Sequence, residues 1–392
     1  MEPITAGVNW RTSIFLITTF IVAIVATPLY FWTVGFRSFD LIHFVVMAGL
    51  TGMSITMGYH RLFTHRAYNA KWPVRLFTLL FGAATFENAA LDWASDHRYH
   101  HKFTDRDGDP HDPHSIQRGF FWAHVGWLLR HHNPALAKDN VADLRRDPLV
   151  RWQRRYILPL SIGIGFLLPA VVGTLYSWGV GESLWIGFLG GLLIAGCARI
   201  VFVQHCTFFI NSLAHCIGSR PYDGSTSARD NGVLALFTFG EGYHNYHHAF
   251  QGDYRNGVRF WQFDPGKWAI WTLSKVGLVS DLRRIPAETI RLARIREKRR
   301  QLEERLERRR ARLSGNVESL LSDLEGRLEQ AHLRFRTLLS QRSQIASRAR
   351  RRGCEELERV RREIAEARRE FRRLARAWHL SHRLALVETG AA

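Results

Sequence analysis

The sequence predicts an all-α, multi-pass membrane protein with four transmembrane helices, a cytosolic cap and a C-terminal helical or coiled-coil tail. Three observations carry that reading. Four long uncharged apolar runs occupy the first two thirds of the chain, three tight histidine clusters fall at the end of a run or in the loops that follow, and glycine and proline almost vanish after residue 287. A length of 392 residues excludes a small secreted scaffold, and four widely spaced cysteines exclude both a disulfide framework and a CxxC thiolate cluster. Charge divides the chain in two. Residues 287–392 hold 28 of the 54 basic and 16 of the 35 acidic residues, a net +12, against +7 for residues 1–286. The expected domains are therefore 1–286 and 287–392.

The first span lies between Arg11 and Arg37, which enclose 25 residues without a formal charge. As helix these measure about 37 Å, enough for a hydrocarbon core of about 30 Å and too long for a signal-peptide core. The second uncharged stretch runs from Leu41 to Tyr59, the third from Tyr156 to Gly181, and the fourth from Ser183 to Ala198, continuing beyond Arg199 through Ile200 to Val203. A fifth apolar run, Leu76 to Leu91, is broken by Glu87 and Asn88 and is read as interfacial or re-entrant. Orientation follows from loop charge. The turn after the first span holds only Arg37 and the turn at Glu182 holds no basic residue, whereas His60 to Arg155 holds 15 Lys+Arg. The positive-inside rule places both termini and the long loops in the cytoplasm.

Histidine supplies the candidate chemistry. His60 and His65, His97, His100 and His101, and His244, His247 and His248 form three clusters, with His215 alone in Asn211-Ser-Leu-Ala-His215. The i, i+3, i+4 spacing of the second and third clusters puts three imidazoles on one helical face, as converging metal ligands require. In the first cluster the i, i+5 spacing turns the side chains about 140° apart on an α-helix, which predicts ligands held at a helix end. Every cluster falls at the cytoplasmic end of a span or in a cytoplasmic loop, so all nine can meet. Nine imidazoles exceed the positions of one ion but suit two, with sites left open. The other histidines (His43, His111, His114, His124, His131, His132, His205, His332, His379 and His382) are read as ordinary. Asp105-Arg-Asp107-Gly-Asp109 begins like a calcium loop, but Pro110 and Ile116 stand where glycine and a bidentate glutamate are needed.

These blocks resemble the histidine-box di-iron membrane fatty acyl desaturases, in particular the Δ9 (stearoyl-CoA) acyl-CoA branch. The resemblance rests on His60-Arg-Leu-Phe-Thr-His65-Arg-Ala-Tyr, Asp92-Trp-Ala-Ser-Asp-His-Arg-Tyr-His-His101, Asp107-Gly-Asp-Pro-His111 with Arg118-Gly-Phe-Phe-Trp-Ala-His-Val-Gly-Trp127, Asn211-Ser-Leu-Ala-His215 with Arg220-Pro-Tyr-Asp223, and Gly240-Glu-Gly-Tyr-His-Asn-Tyr-His-His248, and extends to Asp253-Tyr-Arg-Asn-Gly257. It implies two iron ions held by His60, His65, His97, His100, His101, His215, His244, His247 and His248, with Asn211 reaching one iron through water. It also implies O2 as co-substrate and a cis double bond set into a long saturated acyl-CoA. Phe208 and the stretch Ser227-Ala-Arg-Asp-Asn231 depart from the family's usual residues, which bears on chain-length preference and on how the head group is held.

Elementary chemistry agrees. An unactivated methylene C–H offers no acidic proton, so no acid–base pair can break it and a metal-bound oxidant is required. Position along the chain must then be set by a narrow apolar tunnel, for which Trp93, Phe202, Thr207 and Phe208 are candidate walls. Arg98, Lys102, Arg118, Arg130 and Arg229 are available to meet the phosphates of coenzyme A. No haem-binding His-Pro-Gly-Gly occurs, so electrons must come from a separate ferredoxin, rubredoxin or cytochrome with its reductase. The competing readings are an acyl-lipid desaturase, a fatty acyl hydroxylase of the same di-iron class, and a non-enzymatic membrane metal-binding or transport protein. A transporter would place ionisable groups at mid-membrane.

In the tail, breaks are expected at Ser314-Gly-Asn316 and Gly353. Leu357, Val360, Ile364, Ala367, Phe371, Leu374 and Trp378 form a heptad seam, and Leu313, Val317, Leu320 and Leu324 a shorter one. Self-association, a cover over the cap, or contact with anionic membrane lipid are the expected roles. No nucleic-acid module is present, so the arginine excess is not read as nucleic-acid binding. That excess, with no fused haem domain, points to a bacterial inner membrane over the endoplasmic reticulum.

Overall fold

A computed structural model describes residues 7–106, 112, 114–130, 138–309, 313–348 and 354–389. His111, His131, His132, Gly353 and the triplet 109–111 lie outside the described residues. Among the described residues four helices are long and apolar enough to cross a membrane: α1 (Trp10–Val34), α2 (Ser38–Thr64), α5 (Ile157–Gly179) and α6 (Leu184–Cys216). Between them, α3 (Trp72–Ala83) has 12 residues, about 18 Å, and falls short of a bilayer core. It is followed by α4 (Ala90–Phe103). The all-α, four-span architecture is as the sequence predicts; the only strands among the described residues are the pair Asn69–Ala70 and Val279–Ser280.

The chain divides into two compact units, Met1–Arg220 with Ser225–Arg284, and Pro221–Gly224 with Ile285–Ala392. In the first, α5 and α6 meet through glycine. A Cβ on Gly187 would stand 2.2 Å from the Gly173 carbonyl oxygen, and one on Gly191 2.1 Å from that of Pro169. Helices without side chains at the crossing approach until backbones touch, the usual solution where lipid leaves no hydrophobic force between spans. Arg199, which interrupts the fourth apolar run, is fully buried. Its guanidinium donates to the carbonyls of Ala84 (2.7 Å), Gly165 (2.8 Å) and Ala195 (3.0 Å). One cation thus ties the turn after α3 to both spans.

Tyr59, Leu62 and Phe63 at the end of α2 join Leu79, Leu91, Val150 and Ile270 in the core that fixes α2, α3 and α4 to one another. Buried Arg61 pins the later loops, bonding Glu241 at 3.0 Å, Asp264 at 2.9 Å and the Tyr254 carbonyl at 3.0 Å. Two further short helices are α7 (His244–Ala249) and α8 (Pro265–Lys275).

The second unit is three helices, α9 (Ala287–Arg309), α10 (Gly315–Arg348) and α11 (Cys354–Glu388). Val360, Ile364, Ala367, Phe371, Leu374 and Trp378 are buried, but their partner is α10 of the same chain. Antiparallel packing is marked by Trp378 Nε1 donating to Glu325 at 2.8 Å and by Arg334 lying 3.8 Å from Glu370. In the shorter seam Leu313, Val317 and Leu324 pack in the core as expected, while Leu320 is 45% exposed and Leu321 takes its place; Leu328, Ala331 and Phe335 continue the stripe.

Candidate metal centre

All nine predicted histidines converge, in two adjoining groups. His60, His65, His97, His101 and His247 form one, and His100, His215, His244 and His248 the other, with ligand atoms within 4.8 Å of each other in each group. His101 and His248 join the groups, their rings 4.3 Å apart.

Local winding explains the convergence. On α4 and α7 the i, i+3, i+4 spacing works as expected on α-helices. His60 and His65 lie at a helix end as expected, His65 being the C-cap residue, and the 140° divergence does not arise because Ser54–Thr64 is wound as a π-helix. The His65 N–H donates to the His60 carbonyl at 3.1 Å, an i→i+5 bond that sets residues five apart above one another. The two rings lie 4.8 Å apart.

The nitrogens face each other. His60 and His247 present Nε2 atoms 2.9 Å apart, His247 and His101 2.9 Å, His101 and His97 3.0 Å, His244 and His215 3.1 Å, and His248 and His244 3.1 Å. Two imidazole nitrogens at right angles on an ion about 2.1 Å away would stand about 3.0 Å apart. Burial first, and then the neighbouring imidazoles, hold His65, His97, His101, His244, His247 and His248 well below the usual imidazole range, in the neutral form that binds metal. The Nε2 atoms of His65 and His100 are buried with no hydrogen-bond partner among the described residues. The donor set therefore fits two ions, and five nitrogens in one group exceed a tetrahedral structural zinc.

Outer partners orient the rings, and the sequence reading assigned none of them. Asp112 bonds His100 Nδ1 at 2.9 Å. Ser227 Oγ donates to Asp105 at 2.8 Å and so accepts from His215 Nδ1 at 2.7 Å. Glu241 Oε2 stands 3.0 Å from His60 Nδ1, and Glu241 also bonds Arg61, Thr56 and Asn256. Such contacts fix the tautomer that turns Nε2 toward a metal. Burial pushes the Glu241 and Asp112 carboxyls up, but His60 and Arg61 draw the first down to about 2 and His100 draws the second to about 2. His114, read as ordinary, stands beside the centre. It forms a third potential group with His100 and Asp112, its ring 4.2 Å from that of His100. The chain carries Asp-Pro-His twice in succession, at 109–111 and 112–114, and the second copy supplies this contact.

A cavity of about 650 Å³ opens beside the first group, lined by His97, Trp93, Asp96, Thr207, Phe208 and Asn211 and closed by apolar side chains such as Phe15, Leu16 and Ile157. Trp93, Thr207 and Phe208 are walls as expected; Phe202 is not, being 38% exposed and packed on Phe44. Glu87 belongs to the wall and was not foreseen. It accepts from Thr207 Oγ1 at 3.0 Å and Trp93 Nε1 at 3.4 Å, and burial pushes its carboxyl up to about 8. Of the basic candidates, Arg130 lines the cavity together with Arg11. Arg98 is instead committed to Asp143, at 2.8 and 2.9 Å, and to the carbonyls of Phe63 and Thr64.

Residues 40–276 match the family model described as fatty acid desaturase. A Schizosaccharomyces pombe protein named probable acyl-CoA desaturase is 40% identical over 313 residues, 79% of this chain and 62% of that protein. Acyl-CoA desaturase 1 of Saccharomyces cerevisiae is 41% identical over 64% of this chain and 47% of its own length. Stearoyl-CoA desaturase 5 of Bos taurus is 39% identical over 62% and 70%. The chain thus spans less than two thirds of either yeast relative.

Proposed function

The chain belongs to the fatty acid desaturase family, and on that premise we propose that it is an oxygen-dependent acyl-CoA desaturase that sets a cis double bond, at Δ9, into a long saturated chain. One observation carries the reading: two adjoining clusters of buried imidazoles with converging Nε2 atoms stand together, and the first of them, through His97, reaches the wall of a largely apolar cavity. The reaction breaks two C–H bonds on adjacent carbons and forms the C=C bond. O2 accepts those two electrons and two more from a separate donor and, with protons, leaves as two waters.

Two iron ions held by His60, His65, His97, His101 and His247, and by His100, His215, His244 and His248, would supply the O2-dependent redox chemistry that an unactivated methylene requires. Asn211, on the cavity wall, is assigned to the same centre through water. The protein's own part is positioning. The acyl chain lies among Phe15, Leu16, Trp93 and Phe208, and excluding water from this space protects the reactive centre. Trp93 stacks on the His97 ring at 4.8 Å, so the wall that places the methylenes also touches the metal site. Glu87, neutral below about pH 8, holds Thr207 and Trp93 in register without placing a charge against hydrocarbon. Arg11 and Arg130 are assigned to the acyl carrier's anionic head.

The membrane orientation proposed is the one that loop charge favours, with the histidines on the cytoplasmic side, and the bacterial inner membrane as host. Membranes containing the protein, given a saturated acyl-CoA, O2 and a reduced electron carrier, should yield a monounsaturated product whose double bond is located by mass spectrometry. A hydroxylated product, or turnover only on phospholipid-bound chains, would replace this reading.

A further inference from the structure

We propose that the exposed face of α11 from Arg369 to Val387 docks on the surface of an anionic phospholipid bilayer. Leu380, Leu384 and Val387 are 62%, 61% and 72% exposed. Spacings of four and three place them on one stripe, and Arg369, Arg373 and Arg376 continue it while Arg372 and Arg383 flank it; all five arginines are exposed. The bundle has no use for this stripe, since α11 buries Phe371, Leu374, Trp378 and Ala385 on its other side.

Charge sorting along the helix is equally uneven. In its first half Glu356, Glu358 and Glu363 pair with Arg359 and Arg361, a self-neutralised solvated surface. Beyond Ala367 the acidic residues are Glu370 and Glu388, and both turn to α10, Glu370 toward Arg334 and Glu388 to the Ser314 N–H. Arg368 is held by Glu288 at 2.9 Å. Among the described residues Arg369, Arg372, Arg373, Arg376 and Arg383 make no ion pair, so the face carries cationic and apolar groups and no acid.

That combination selects its partner. A nucleic acid would use the arginines and leave three apolar side chains against phosphate. A second copy would bring together two tails of net +12. The headgroup boundary of an anionic bilayer accepts both features, with apolar side chains in the acyl margin and guanidiniums on phosphate. Because the same chain crosses the membrane, that surface is always within tether reach.

The test uses the full-length protein with photoreactive benzoylphenylalanine in place of Leu384, in nanodiscs of phosphatidylcholine alone or mixed with phosphatidylglycerol, and identifies the adducts by mass spectrometry. Phospholipid adducts are expected, enriched several-fold by phosphatidylglycerol and lost on Arg373→Glu with Arg376→Glu and Arg383→Glu. The same probe at exposed Glu356 should give few. Adducts to a second copy, no adduct, equal yields at both positions, or indifference to phosphatidylglycerol would each overturn the proposal. If circular dichroism shows that the charge-reversed protein has lost its helices, the lipid dependence of the unreversed probe decides.

Discussion

The Nε2 atoms of His60 and His247 lie 2.9 Å apart, although 187 residues separate them in the chain. The Glu241 carboxylate beside His60 Nδ1 favours the proton on that nitrogen, so His60 Nε2 carries a lone pair facing another imidazole. A cation between the two nitrogens would take that lone pair together with one from His247 Nε2. His247→Ala should therefore empty the five-imidazole group and leave the four-imidazole group loaded, lowering bound iron from about two ions per chain to about one. Elemental analysis of the purified protein decides; a full complement in the variant would refute the grouping.

Glu241→Gln retains the size of the side chain but removes the charge that Arg61 and His60 meet. Loss of such an outer partner should weaken metal binding roughly 10–100-fold. Competition with a chelator measures it, and Asp112→Asn should do the same through His100. The depressed carboxyls give a sign for acid as well. Their stabilising effect is complete above the ordinary carboxylate range and is lost as pH falls toward about 2.

Glu87 predicts the opposite slope. Its carboxyl is raised from 4.5 to about 8, so across that window the folded chain holds a proton that the unfolded chain releases, and stability falls as pH rises. Above about pH 8 the group ionises on the wall of an apolar cavity. KM for the acyl substrate should rise several-fold between about pH 7 and about pH 9, and Glu87→Gln should abolish that rise. A profile unchanged by the substitution would assign the slope elsewhere.

The two His-x-x-His-His clusters could be read directly from sequence, since α4 and α7 are α-helices and helical spacing alone aligns their rings. The pair His60 and His65 could not. An α-helical period was assumed where the chain is π-wound, and nothing in Ser54–Thr64 announces that local change. Glu241, Ser227 and Asp112 reach the histidines only through tertiary folding, although their neighbourhoods had been singled out. His114 was hidden by the duplicated Asp-Pro-His. The spans were legible because length and apolarity suffice; in the tail's second seam only Leu320 misses the core, where spacings of three and four are both helical and Leu321 fills the place.

Arg199→Met should show how much the buried cation contributes. It leaves the Ala84 and Gly165 carbonyls without their donor, and three charge-assisted bonds lost at a buried site should cost roughly 3 kcal/mol. Thermal unfolding in detergent should register a clear fall in Tm. An unchanged midpoint would mean that water or a neighbouring donor replaces the guanidinium.

The paired histidine groups are proposed to hold iron that desaturates acyl chains. The most direct measurement of this is expression in a host lacking unsaturated fatty acids, with His244→Ala as control, reading lipid double bonds and bound iron in the same cells. The unaltered protein should give new double bonds with about two irons per chain, and the variant no new double bonds with about one iron per chain. A folded, iron-loaded protein with unchanged host lipids would contradict the proposal.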